Sequence, residues 1–254
     1  MRGAPRLIAF VTRFRAGFAA VFFFAAIVFT STERFTTMRD SVRAAFVHFS
    51  APLEGVVSFF YLDARGLVTI AMGNLVDPLS TALELPLVHP DGSPATRDEI
   101  ATDWSNVKSR QDLSPRGGMA FSAVARLHLT GDGIQEVVGA KLDEMDGYLS
   151  RRFTDWANWP APAQLATLSV AWACGPAFAF PRLAAFLQAG DFAGAATECT
   201  IHPETGTIVR RNALDRALYL AASRVVATCG DLEELVLPPG VPPDAPTDPT
   251  PMAA

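Results

Sequence analysis

The sequence predicts a mainly α domain of the α+β kind, and three observations predict it. Apolar residues recur at three- and four-residue steps through most of the second half of the chain. One stretch between Tyr61 and Pro78 changes to β-branched residues punctuated by glycines. Half of the 254 residues are hydrophobic and 19% are charged, so the chain can bury a sizeable core and is not a disordered one.

The first element is apolar. Ala16 to Thr32 (AGFAAVFFFAAIVFTST) carries no charge, and Arg2, Arg6, Arg13 and Arg15 precede it. Seventeen helical residues span roughly 25 Å, which suits a transmembrane or signal-anchor segment with snorkelling arginines. The positive-inside rule then leaves residues 1–15 as a basic cytoplasmic N-terminus and sends the rest outward, to an inner-membrane-anchored periplasmic or an exported location. Ile27, Val28 and Phe29 occupy the end of the run where a cleaved leader would have small residues, so an anchor is favoured over a leader; a buried helix is the third reading.

Residues 33–49 follow as a linker helix, and residues 50–230 are expected to form the main domain. Pro52 suggests a break, with a new helix starting at Ser50 or Ala51 and Glu54 near its beginning. Turns at Asp63, Gly66, Gly73 and Asn74 mark a hairpin or three-strand meander, read as the chain's one convincing β-structure. Residues 80–127 form an insertion, irregular from Leu85 to Met119 except for a short helix. Thr96 and Glu99 open that helix as a capping box, and Ile100, Trp104 and Val107 share its face.

Ile134, Val137, Val138, Leu142, Met145, Leu149 and Phe153 then form one stripe, predicting a long helix over residues 133–153 that crosses the molecule. The segment AQLATLSVAWACG is apolar all round and predicts a central buried helix. Two short helices, FPRLAAFLQAG and DFAGAATEC, meet at Gly190 and Asp191, and a last helix runs from about Thr207 to Thr228. Residues 231–254 are Pro-rich and read as a disordered tail.

Several function classes are disfavoured. The net charge is −5, the four leading arginines sit outside the main domain, and no basic stripe with interleaved aromatics appears, which argues against nucleic acid. His48, His89, His128 and His202 lack ligand spacing, so no metal site is expected. Ser169 and Ser223 have no triad motif behind them. Cys174, Cys199 and Cys229 are an odd set, compatible with one disulfide after export or with free thiols. Trp104, Trp156, Trp159 and Trp172 read as core more than as sugar-stacking faces.

Glu54 and Asp63, nine residues apart, can supply the proton donor and the second carboxylate that glycoside hydrolysis needs. Leu53, Val56, Val57 and Phe59 surround Glu54 with apolar atoms, which favours its protonated form. The stretch LEGVVSFFYLDARGLVTIAMGNL also resembles the catalytic segment of the T-even phage type lysozyme (muramidase) family, in its Glu-Gly, Tyr-x-Asp, Gly turn and Thr-Ile-x-x-Gly pattern. LTGDGIQEVVGAKLDEMDGYL is similar to the start of that family's inter-lobe helix, and FPRLAAFLQAGDFAGAATEC to its C-terminal helix pair.

The resemblance implies a lysozyme-like two-lobed fold, with a small β-hairpin lobe and a helical lobe joined by a long helix. It implies that Glu54 is the acid and that Asp63 and Thr69 hold the attacking water in an inverting reaction. Gly73 and Asn74 fall on its supporting positions, and Arg211, with Arg210 and Arg216 as rivals, on an arginine that pairs with the acid. It further implies a cofactor-free monomer acting on the β-1,4 bond between N-acetylmuramic acid and N-acetylglucosamine of the peptidoglycan glycan strand, for cell-wall lysis. An antibacterial muramidase toxin of the pesticin kind, or a catalytically silent membrane-anchored wall-binding protein, are the alternatives. Two departures sit in the hairpin: Asn74 replaces the common His and Ala71 replaces a Gly.

Overall fold

Helix α1 (Asp40–Glu54) forms because Val42, Phe46, Phe49 and Leu53 recur at steps of three and four, and all four are buried. The computed structural model describes residues 37–241, so the expected N-terminal basic stretch and membrane segment lie outside the described residues. Among the described residues no helix is long and apolar enough to cross a membrane.

The expected break at Pro52 does not occur: α1 runs straight through it. A proline in the last turn forfeits one backbone hydrogen bond, and the buried Ala51 and Leu53 hold the turn in place. Gly55 ends the helix at φ 74°, with its N–H donating to the Ala51 carbonyl at 2.9 Å. The segment expected as a linker helix over 33–49 is therefore continuous with the residues after it, and Glu54 stands at the end of a helix rather than its beginning.

Strands β1 (Val57–Leu62), β2 (Val68–Ala71) and β3 (Asn74–Leu75) form the expected antiparallel meander in the order β1-β2-β3. Tyr61 pairs with Thr69 and Leu62 with Val68, while a register shift separates that pairing from Val57 opposite Ala71. Ser58, Phe60 and Leu62 point into the core, and all four residues of the central β2 are buried. Ala71 sits at φ 53°, a left-handed conformation that a Cβ disfavours, and it is the very position where the resemblance expected glycine.

The insertion is folded, which corrects its reading as an irregular segment. It holds α2 (Leu79–Ala82), β4 (Leu87–Val88), α3 (Arg97–Ser109), and 3-10 turns at Gln111–Arg116 and Gly118–Phe121. The capping box forms as expected, Thr96 Oγ1 accepting from the Glu99 N–H while the Glu99 carboxylate accepts from the Thr96 N–H. Ile100, Val107, Leu113 and Phe121 from this segment enter the same core as the sheet. A second small sheet, β4 paired with β5 (His128–Leu129), was not anticipated. Two-residue strands carry no alternation to read.

The expected long helix is α4 (Gly131–Arg152), capped by the Thr130 hydroxyl. Its partners are β2, β3 and β5 on one hand and α5 on the other, so it touches both the sheet and the helical layer. Helix α5 (Ala161–Cys174) is buried from Ala161 to Ala171. It packs against α1 and α8 (Thr207–Ala227), while α7 (Phe192–Glu198) packs on α8 and α6 (Pro181–Gln188) on α7. All described residues cluster in one unit.

Trp156 and Trp159 are core residues, as expected. The three cysteines are free, with Cys174 and Cys229 exposed. The first part of the supposed tail is not loose. The Leu232 carbonyl accepts from the Ala161 N–H at 2.8 Å, Glu233 pairs with Arg39 and accepts from the Ser41 hydroxyl, and Leu235, Leu237 and Val241 pack on the core. Proline content hid these apolar anchors; residues after 241 lie outside the described region.

Replacing Ala71 by glycine removes the left-handed penalty of about 1–2 kcal/mol and adds unfolded-chain entropy of about 0.5–1 kcal/mol. Ala71 is also buried, and losing its methyl costs about a further 0.8 kcal/mol, so Ala71→Gly is expected to change stability by less than about 1 kcal/mol, read as a urea midpoint close to that of the wild type at unchanged slope.

Candidate functional site

The site is built around the last residue of α1. A carboxylate there faces the negative end of the helix dipole and lies next to buried apolar side chains, and both disfavour its charge. The Glu54 side chain is 24% exposed. Burial raises its pKa above the usual value, and the Arg211 charge and hydrogen bond pull in the other direction without overcoming it.

Arg211 reaches Glu54 from α8, 157 residues along the chain, and Nη2 donates directly to Glu54 Oε1. Its other terminal nitrogen, Nη1, donates to the Ser169 carbonyl at 3.0 Å and to the Ser169 hydroxyl at 2.9 Å. The residue is 1% exposed, which is tolerable for a guanidinium only with such partners. Of the three candidate arginines, the structure brings Arg211 to Glu54. Arg210 instead donates to the Gly240 carbonyl.

Asp63 lies at the turn that follows β1. Its Oδ1 accepts the N–H groups of Arg65 and Leu67, both at 2.9 Å, which fixes the carboxylate on its own turn. Oδ2 has only a 3.7 Å contact with the exposed Arg65. One oxygen is thus tethered and the other remains available to a ligand.

Thr69 stands directly opposite Tyr61, so both side chains share a face of the sheet. Thr69 is buried, and its hydroxyl donates to the Leu67 carbonyl at 3.1 Å, leaving its oxygen lone pairs to accept. Tyr61 links the two carboxylates electrostatically. Its phenol is pushed up to about 12 by burial first, then by the charges of Asp63 and Glu54. Tyr61 had no assigned role in the sequence reading, although it belongs to the Tyr-x-Asp pattern.

Gly73 and Asn74 are placed elsewhere. Gly73 supplies the positive φ of the β2–β3 turn. Asn74 accepts from the Met72 N–H at 3.2 Å and donates to the Val137 carbonyl at 3.4 Å, tying that turn to α4. Both line a depression with Ala140, Lys141 and Glu144, with no contact to Glu54.

The insertion holds the Asp63 turn, a connection that sequence reading did not provide. Ser114 donates to the Asp63 carbonyl at 2.6 Å, and Lys108 donates to the Gly66 carbonyl at 2.9 Å and to the Asp77 carboxylate at 2.5 Å. The Lys108 hydrogen bond holds the Asp77 carboxyl below its ordinary range. Gly118 lets a 3-10 turn pass close over Tyr61, because a Cβ there would come within 3.2 Å of the ring. These are long-range contacts between residues with no local signature.

One turn beyond Arg211, Asp215 is fully buried. Burial raises its pKa to about 7, with Ser169 and then Arg211 drawing it down. Among the described residues no cluster of His, Cys, Asp and Glu could hold a metal ion. Comparison of the chain with protein families, with curated proteins and with solved structures found no match.

The Asp215 shift has a measurable sign. Its folded-state pKa lies above the unfolded value, so between about pH 4 and pH 7 the native state binds the extra proton. Stability contributed by this group is therefore full below that window and falls by up to about 1.4 kcal/mol per pH unit as pH rises through it. Urea denaturation across this range is expected to show the decline in wild type and a flatter curve in Asp215→Asn.

Proposed function

We propose that this protein is a peptidoglycan muramidase, hydrolysing the β-1,4 bond between N-acetylmuramic acid and N-acetylglucosamine. The observation that carries the reading is the ion pair between Glu54 and Arg211. Two residues 157 positions apart meet, one the acid that the resemblance to T-even phage type lysozymes implies and the other the first of its three candidate arginines. A chance likeness over a short segment gives no reason for that meeting. The face shared by Tyr61 and Thr69, with Asp63 at its end, supports the same reading, as does the long helix touching both sheet and helical layer.

In this mechanism Glu54 begins protonated and gives its proton to the leaving glycosidic oxygen as the bond to the anomeric carbon breaks. Water attacks that carbon from the other side. It donates one hydrogen bond to Asp63 Oδ2, which takes its proton, and one to the Thr69 hydroxyl oxygen, which orients it. After the transfer the Glu54 carboxylate is held by Arg211 until solvent reprotonates it. A membrane tether or export through the N-terminal segment would place this activity on the wall side, as a lytic enzyme of endolysin kind.

The test is clearing of purified peptidoglycan by the full chain, with new reducing ends counted. Glu54→Gln is expected to lower the rate by about 10²–10⁴-fold while the protein stays folded, because general acid catalysis contributes on that scale. Wild-type rate should fall as pH rises through the raised Glu54 pKa, since the protonated form is the active one. Equal clearing by both proteins would remove Glu54 from the mechanism. An anhydro-sugar product would indicate a lytic transglycosylase, and sedimentation with glycan without cleavage would indicate a wall-binding protein.

A further inference from the structure

Helix α8 carries a buried acid that the chemistry above leaves unused. Asp215 is fully buried, and neither of its carboxylate oxygens completes a hydrogen bond of standard geometry. Arg211, four residues earlier on the same helix, has an unpartnered Nε. Side chains at that spacing are neighbours on a helix surface. Ser169 joins them from α5. Its hydroxyl oxygen accepts from Arg211 Nη1, so its own proton points away from the guanidinium and is free for the Asp215 carboxyl.

The other groups around Asp215 do not neutralise it. Tyr219 on α8 is bonded to Thr167 of α5 and has its pKa pushed well up by burial. Cys199, just after α7, is pushed up to about 12 by burial first and then by the Asp215 charge, with Arg216 drawing it weakly down. Cys174, at the end of α5, is raised by burial and feels both Arg211 and Asp215. From α1 the facing group is Glu54, through Arg211. The cluster therefore has one guanidinium and two carboxyls, Glu54 paired with Arg211 at the candidate site and Asp215 one helical turn further along α8 in the interior.

We propose that Asp215 is a positioning residue for the Glu54 proton: the two carboxyls share one proton across Arg211, and Asp215 becomes the arginine's counter-ion whenever Glu54 holds that proton. This rests on the reading of Glu54 as proton donor. A buried cluster of two carboxyls and one guanidinium is neutral overall when it keeps a single proton, and low-dielectric surroundings favour the neutral count. With Asp215 ionised, the pull of Arg211 on Glu54 is partly offset, so Glu54 keeps its proton to higher pH. Once Glu54 has given the proton away, the cluster carries a net negative charge. That charge draws a proton back from solvent and resets the acid.

Carboxyl-¹³C NMR titration of the full chain, labelled at Glu and Asp side chains, reads the proton without any substrate. In wild type the Glu54 and Asp215 resonances are expected to respond in common steps, with Glu54 showing an upper limb as Asp215 ionises. In Asp215→Asn the upper limb should vanish and the Glu54 midpoint fall by about one pH unit. The alkaline limb of peptidoglycan clearing should move down with it, whereas a purely structural role would lower the rate at every pH alike. Independent single-step curves in wild type, or an unmoved Glu54 midpoint in the variant, overturn the proposal. The wild-type curves decide the matter if the variant does not fold. A wild type that clears no peptidoglycan yet shows the shared steps refutes the muramidase reading alone.

Discussion

A single buried guanidinium joins three helices of this molecule. Arg211 needs counter-charge and acceptors because an unpaired cation in the interior is costly, and it finds them on two other helices: the carboxylate ending α1, and the Ser169 hydroxyl and carbonyl of α5. Removing one partner from a buried pair typically costs about 3–5 kcal/mol, so these contacts help to fix the relative placement of three helices. The apolar packing of α5 against α8 and α1 supplies the bulk of the attraction.

The second acid is governed by a different layer. Asp63 belongs to a tight turn, and turns of this kind are mobile unless held from outside. Here Lys108 and Ser114 fasten both ends of it, drawing on a segment that composition alone marks as an irregular insertion. The helix-borne acid and the turn-borne acid are thus positioned independently, one by the helical layer and one by the insertion, with Tyr61 packed between those influences.

Much of the helical architecture was legible because burial repeats with the helical period. The stripe from Ile134 to Leu149, the capping box at Thr96 and the Gly190–Asp191 junction all appear where the residues indicate. Pro52 misled because its effect depends on its distance from the helix end, which a local reading cannot supply. The β4–β5 pair and the anchored chain after Asp231 were missed because their signal is a few isolated apolar residues among prolines and glycines. The pairing of Glu54 with Arg211 came from resemblance. The participation of Ser169 and Asp215 could not, since α5 and α8 meet only in the folded chain; the one local hint was the four-residue spacing from Arg211 to Asp215.

The clasp between Arg39 and Glu233 bears on how the molecule reaches this state. It joins residues 194 apart, and the contact of Glu54 with Arg211 closes a loop of 157 residues nested inside it. Loop-closure entropy rises only logarithmically with length, so almost all of that ordering penalty is met when α1 first docks against α8. The clasp then closes for little additional loss, and the inner contact gains persistence from the outer one. Loosening the segment after Asp231 would for that reason be felt as faster opening around Glu54, far from where the loosening was made.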